Sequence, residues 1–138
     1  MTESALDKLA AARIGLINRM PFFGHLSLLL TLIREDAVPT AGTDGERLYY
    51  SEQFISGLTD AETQVLLMHE VLHVALGHIW RRAERDPHLW NYAADYAVNA
   101  IIRQNGHELL KGSLYRQDFD DLTAEEIYDK IKKNAKSM

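Results

Sequence analysis

Near the start of the chain, Leu6, Leu9, Ala10, Ile14 and Ile17 recur at helical spacing and predict a helix from Ser4 to about Asn18. Ser4 is placed to cap it, and Pro21 stops the pattern. Leu26-Ser27-Leu28-Leu29-Leu30-Thr31-Leu32-Ile33 follows as an almost unbroken apolar run, of a length that predicts a buried strand. The stretch Pro39-Thr40-Ala41-Gly42-Thr43-Asp44-Gly45 is rich in turn formers. Its Asp44-Gly45 pair signals a hairpin leading into a short strand, Arg47-Leu48-Tyr49-Tyr50.

The second half reads as helices. Thr59-Asp60-Ala61-Glu62 has the capping-box pattern and opens a long helix expected to run from about Asp60 to Arg85, stopping before Asp86-Pro87. Another is expected over roughly Leu89 to Gln104, ending at Asn105-Gly106. After a loop containing Gly112, a last helix from about Thr123 to Lys133 opens with a second box, Thr123-Ala124-Glu125-Glu126. No repeat or low-complexity linker interrupts these elements. The fold class they predict is α+β, one small sheet against helices.

Composition narrows the function classes. A chain of 138 residues predicts a single domain, residues 1–138, with one core. The net charge of −5 and the lack of any Lys/Arg cluster speak against a nucleic-acid partner. There are no cysteines, so disulfides, thiolate nucleophiles and Cys-type zinc sites are excluded together. Met1-Thr2-Glu3-Ser4, with Asp7 close behind, is not a signal peptide, and no apolar run is long enough to span a bilayer. The expected location is cytoplasmic.

Within the long helix the sequence reads Met68-His69-Glu70-Val71-Leu72-His73-Val74-Ala75-Leu76-Gly77-His78. His69 and His73 stand four apart, so both imidazoles project from one face, one turn above the other. Glu70 lies about 100° round the helix, where it flanks a cation without filling a coordination position. Two imidazoles suit zinc, and a flanking carboxylate suits a general base acting on water. A helix that merely carries two histidines is the bland alternative. Against it stand the neighbours Val65, Leu66, Leu67, Met68, Val71, Leu72, Val74, Ala75 and Leu76. On so apolar a helix, three ionisable groups are costly unless something binds them.

A catalytic zinc takes three protein ligands and keeps one position open. His78, nine residues after His69, points about 180° away in a continuous helix, and Gly77 and His78 are out of register with the metzincin pattern. The following helix offers Asn91, Asp95 and Asn99 at successive four-residue steps, a polar stripe among Ala, Val, Ile and Tyr. Asp95 is its only carboxylate and is the expected third ligand. Ala93, Ala94 and Ala97 are small enough to let this helix approach the histidine helix closely. Asn91 and Asn99 are equally suited to orienting ligands and to plain interhelical hydrogen bonding. Tyr92, Tyr96, His78 and Arg81 all have the chemistry to donate to a developing oxyanion, and the sequence does not choose between them.

The remaining candidates are weaker. His25, His88 and His107 lie outside the two motif helices and read as surface or loop histidines. Asp118, Asp120 and Asp121 read as a solvated loop and helix cap; a sharper alternative has this segment fold over the cleft, offer a carboxylate to the zinc and keep the protein latent. Ala41 to Tyr50 provides either an ordinary hairpin or an edge strand able to pair with a peptide.

The two motif runs, His69 to His78 and Trp90-Asn91-Tyr92-Ala93-Ala94-Asp95-Tyr96-Ala97-Val98-Asn99, resemble the bacterial metallopeptidase domain that normally precedes a von Willebrand factor A-like domain. Pro21-Phe22-Phe23, Pro39-Thr40, Thr43-Asp44-Gly45 and Ala124-Glu125-Glu126-Ile127-Tyr128 are similar to the same family, so the resemblance covers nearly the whole chain. It implies a zincin-like fold, with zinc held by His69, His73 and Asp95 and with Glu70 as base. The chain is also similar to the minigluzincins, whose third ligand is a Glu where Asp95 stands here. The sequence ends at Met138 with no room for a von Willebrand-like module, so the expectations are a stand-alone or prophage-type version, a piece ending at the domain boundary, or a partner protein that supplies the module.

Three functions follow as expectations. The first is peptide hydrolysis with zinc and Glu70, on a peptide or protein substrate. The second is a metal-binding adaptor without activity, against which an intact Glu70 argues. The third is a DNA-associated protease, which the acidic balance disfavours. The same donors would also accept iron, cobalt or manganese.

Overall fold

Side-chain caps set most of the helix boundaries. In the computed structural model, which describes residues 4–136, Ser4 Oγ accepts from the Asp7 backbone N–H and opens α1 (Ala5–Arg19). The reading of residues 1–3 as carrying no leader falls outside the described residues. Thr59 and Glu62 form the reciprocal box that opens α4 (Asp60–Ala75): Thr59 N–H donates to Glu62 Oε1 at 2.8 Å, and Glu62 N–H to Thr59 Oγ1 at 3.1 Å.

The backbone forms two compact units, one ending at Ala75 and the other beginning at Leu76. In the first, α1 packs against α2 (Pro21–Ser27), α3 (Glu52–Ser56) and α4. Gly24 is where α2 meets α1; a Cβ there would lie 2.4 Å from Ile17 backbone atoms, so the crossing requires glycine. The sheet is mixed. Its central strand β3 (Arg47–Tyr50) pairs in parallel with β1 (Thr31–Arg34) and antiparallel with β2 (Ala41–Thr43). The Asp44-Gly45 hairpin forms as expected. Asp44 Oδ1 accepts from the backbone N–H of Glu46 and Arg47, and those bonds hold its carboxyl well down, at about 2.

The run from Leu26 to Ile33 is not one strand. Its first part completes α2, which starts on Pro21 at the first helical position; Leu28 and Leu29 are exposed in a turn, and the strand begins only at Thr31. Ser27 is buried in that helix because its hydroxyl donates back to the Gly24 carbonyl at 2.6 Å.

The long helix is also shorter than expected. It ends at Ala75 rather than near Arg85, because Gly77 takes the left-handed conformation, φ 68°. A side chain there would cost about 1 kcal/mol or more.

The second unit begins at this turn. The single-turn helix α5 (His78–Arg81) leads to α6 (Pro87–Gln104), capped by Asp86 Oδ1 on the Leu89 N–H. A 3₁₀ turn (Gln117–Phe119) and α7 (Ala124–Lys136) complete it, with Thr123 and Glu126 forming the second reciprocal box. The core of this unit joins Trp90, Ala93, Ala94 and Ala97 of α6 to Phe119, Ala124, Ile127 and Tyr128. The small residues of α6 therefore admit α7. The α+β class is as predicted, with seven α-helices and three strands among the described residues. No helix among them is long and apolar enough to cross a membrane.

Candidate metal centre

The four-residue spacing on α4 does what helical geometry requires. The His69 and His73 rings stand 4.6 Å apart between centroids and nearly perpendicular, and their Nε2 atoms approach to 2.9 Å. One ring N–H can bridge to the other at that distance. Two nitrogens bound tetrahedrally to one zinc at ordinary bond lengths stand about 3.3 Å apart, so a few tenths of an ångström would open the pair around a cation. Asp95 completes the group. His69, His73 and Asp95 each offer one ligand atom, and these atoms all lie within 4.8 Å of one another. Two neutral nitrogens and one anionic oxygen are a donor set that zinc accepts. Glu70 is buried, 6% exposed, on the same helix as both imidazoles.

The polar stripe on α6 is graded. Asn91 is exposed, Asp95 half-buried and Asn99 buried. Asn99 Nδ2 donates to the Leu114 carbonyl at 2.8 Å, which ties the segment after α6 to that helix.

The other polar candidates have structural partners. His78 is buried at the start of α5, edge-on to Trp90 at 5.9 Å between ring centroids, and its carbonyl accepts from Trp90 Nε1 at 2.7 Å. Arg81 Nη1 donates to the Leu76 carbonyl at 2.6 Å, while its Nε and Nη2 grip both oxygens of Glu125. Tyr96 packs edge-on against Phe119 at 5.1 Å. Asp118 pairs with Arg116, Asp120 accepts from Tyr115 and Asp121 from Gln104, so each carboxylate of the acidic run is engaged within its own unit. His25 and His88 are exposed and His107 half-buried; none joins the group that could hold a metal ion among the described residues.

The set of contacts around the start of the second unit was not legible in the sequence. Besides Arg81–Glu125 and Trp90–His78, it includes Tyr128 Oη, which accepts from the Asp86 backbone N–H at 2.9 Å, with the Arg85 guanidinium over the Trp90 and Tyr128 rings. Partial burial pushes the Glu125 carboxyl up, but the Arg81 hydrogen bond, the backbone N–H and the charges of Arg81 and Arg85 outweigh it and hold the group below its ordinary value of 4.5. The folded chain thus keeps Glu125 ionised at a pH where the unfolded chain has begun to protonate it. The resulting stability is present above pH 4.5 and is lost as pH falls through the lower folded value. Both side chains are about one-third exposed, so the pair contributes under about 1 kcal/mol. Urea midpoints of the wild type and Glu125→Gln should differ at pH 7 and draw together as pH falls below 4.5; a gap that stays constant on acidification would refute this account.

An α+β chain that presents two helix-borne imidazoles and a nearby carboxylate defines a candidate metal-binding protein. The chain belongs to the family described as "Putative metallopeptidase domain", whose model matches residues 4–138. A Thermotoga maritima protein described as an "Uncharacterized protein" is 29% identical over 103 residues, covering 70% of this chain. The chain spans only 26% of the length of that relative. No solved structure matches. Membership in the family implies a metal ion, and the His69–His73–Asp95 cluster is a group that could bind one.

Proposed function

We propose that this chain is a zinc-dependent peptidase in which His69, His73 and Asp95 hold the metal and Glu70 is the general base. The observation that carries this reading is the convergence of the two imidazoles and the carboxylate within 4.8 Å. Zinc in such a donor set supplies Lewis acidity and brings the pKa of a water toward neutrality. Glu70 takes the proton of the attacking water as it adds to the peptide carbonyl, then delivers that proton to the departing amine nitrogen. Burial of Glu70 keeps bulk water from competing for the carboxylate.

The substrate is an extended peptide or unfolded protein segment. It adds as a strand along the outer edge of β2, which packs beside α4 within the first unit. Nucleic acid is not a partner of a chain with a net charge of −5 and no basic cluster. The proposed setting is cytoplasmic.

Elemental analysis tests the metal centre directly. The purified chain should carry one equivalent of zinc, and Asp95→Ala should bind it at least about a hundredfold more weakly while its circular dichroism stays unchanged. Full zinc retention by Asp95→Ala, measured by competition with a chelator, would remove Asp95 from the ligand set.

A further inference from the structure

Four side chains have the chemistry to donate to the carbonyl oxygen of a substrate, and their surroundings separate them. Arg81 is committed to Glu125 and the Leu76 carbonyl, His78 is buried against Trp90, and Tyr96 is packed on Phe119. Tyr92 differs from all three. Its side chain is 52% exposed, and its hydroxyl has no hydrogen-bond partner among the described residues. It also stands three residues before Asp95 on α6, so the two share a helix face about 60° apart.

Position on the helix selects the same residue. The residues one turn from Asp95 on its face are Asn91, Tyr92, Val98 and Asn99, and of these Val98 and Asn99 are buried. Of the two that are exposed, Tyr92 is the longer and presents an O–H at the end of a rigid ring. We propose that Tyr92 is a further catalytic residue, donating its O–H to the carbonyl oxygen of the scissile peptide bond. This rests on the hydrolytic reading above. The hydrogen bond strengthens as that oxygen gains negative charge during water addition, so it favours the transition state over the bound substrate.

The test compares wild type, Tyr92→Phe, Tyr96→Phe and Glu70→Gln, each loaded with zinc. Tyr92→Phe should lower kcat on the order of a hundredfold with little change in KM, at unchanged zinc content. It should also weaken binding of a phosphinic peptide, whose tetrahedral oxyanion mimics the transition state, by a comparable factor in calorimetry. Tyr96→Phe should behave as wild type in both measurements. An active wild type, an inactive Glu70→Gln and a fully active Tyr92→Phe that still binds the phosphinic peptide tightly would overturn the role of Tyr92 alone. A zinc-loaded wild type that neither cleaves peptides nor binds the phosphinic peptide would overturn the hydrolytic reading, and the role of Tyr92 with it.

Discussion

Glu70→Gln is expected to leave zinc content unchanged and to reduce cleavage of an unfolded protein such as casein by about a thousandfold or more. The two halves of that result have separate causes. Glu70 lies between His69 and His73 in sequence but about 100° round α4 from His69, and the group that could hold a metal ion consists of His69, His73 and Asp95 without it. Gln has the volume of Glu and keeps one carbonyl oxygen and an N–H₂ for its neighbours, so the buried site stays filled. What Gln lacks is basicity, and it cannot accept the proton of the attacking water. Loss of cleavage together with loss of zinc would mean that Glu70 is a ligand; cleavage undiminished at full zinc occupancy would mean that the base is elsewhere.

Local chemistry made part of this fold legible in advance. Both capping boxes form as their sequences require, because a Thr hydroxyl and a Glu three residues later satisfy each other's backbone N–H groups regardless of what packs around them. Asp86-Pro87, read from the sequence as the stop of the preceding helix, instead opens α6 ahead of the expected start at Leu89, with a side-chain cap and a first residue that needs no donor. Where the signal was apolar content alone, the reading failed. The run from Leu26 to Ile33 is divided between a helix end, an exposed turn and a four-residue strand, and length and hydrophobicity do not distinguish these outcomes. The short helix α3, capped by Ser51 Oγ on the Phe54 N–H, is too brief to leave a periodic signature.

The candidate centre was more legible than its support. A four-residue spacing fixes where two imidazoles point within one helix, and a lone carboxylate in a polar stripe on an apolar helix has few other reasons to be there. The end of α4 is different. One glycine sets it, and the same Gly77 would have been tolerated inside a continuous helix at a cost of about 1 kcal/mol. Ala93, Ala94 and Ala97 show a related ambiguity: small residues announce that a helix will approach closely, not which helix it will be. In this chain α7 takes that place.

Trp90 shows how much stability depends on contacts the sequence did not announce, and Trp90→Ala should destabilise the chain by about 3–5 kcal/mol. Its indole is 2% exposed and belongs to the core formed by α6, Phe119 and α7. It meets the His78 ring edge-on, lies 6.4 Å from the Tyr128 ring and sits beneath the Arg85 guanidinium. Removing the bicyclic ring leaves a void that neighbouring alanines are too small to fill. Trp90→Phe separates packing from hydrogen bonding. It keeps an aromatic ring in place but removes the Nε1–H that satisfies the His78 carbonyl at 2.7 Å, leaving a buried acceptor unpaired at a cost of about 1–3 kcal/mol. Urea unfolding followed by far-ultraviolet circular dichroism, which does not rely on the deleted fluorophore, should rank wild type above Trp90→Phe and Trp90→Ala lowest. A Trp90→Phe midpoint equal to that of wild type would show that the His78 carbonyl finds another donor, and that the indole N–H contributes nothing to holding the turn at the start of the second unit.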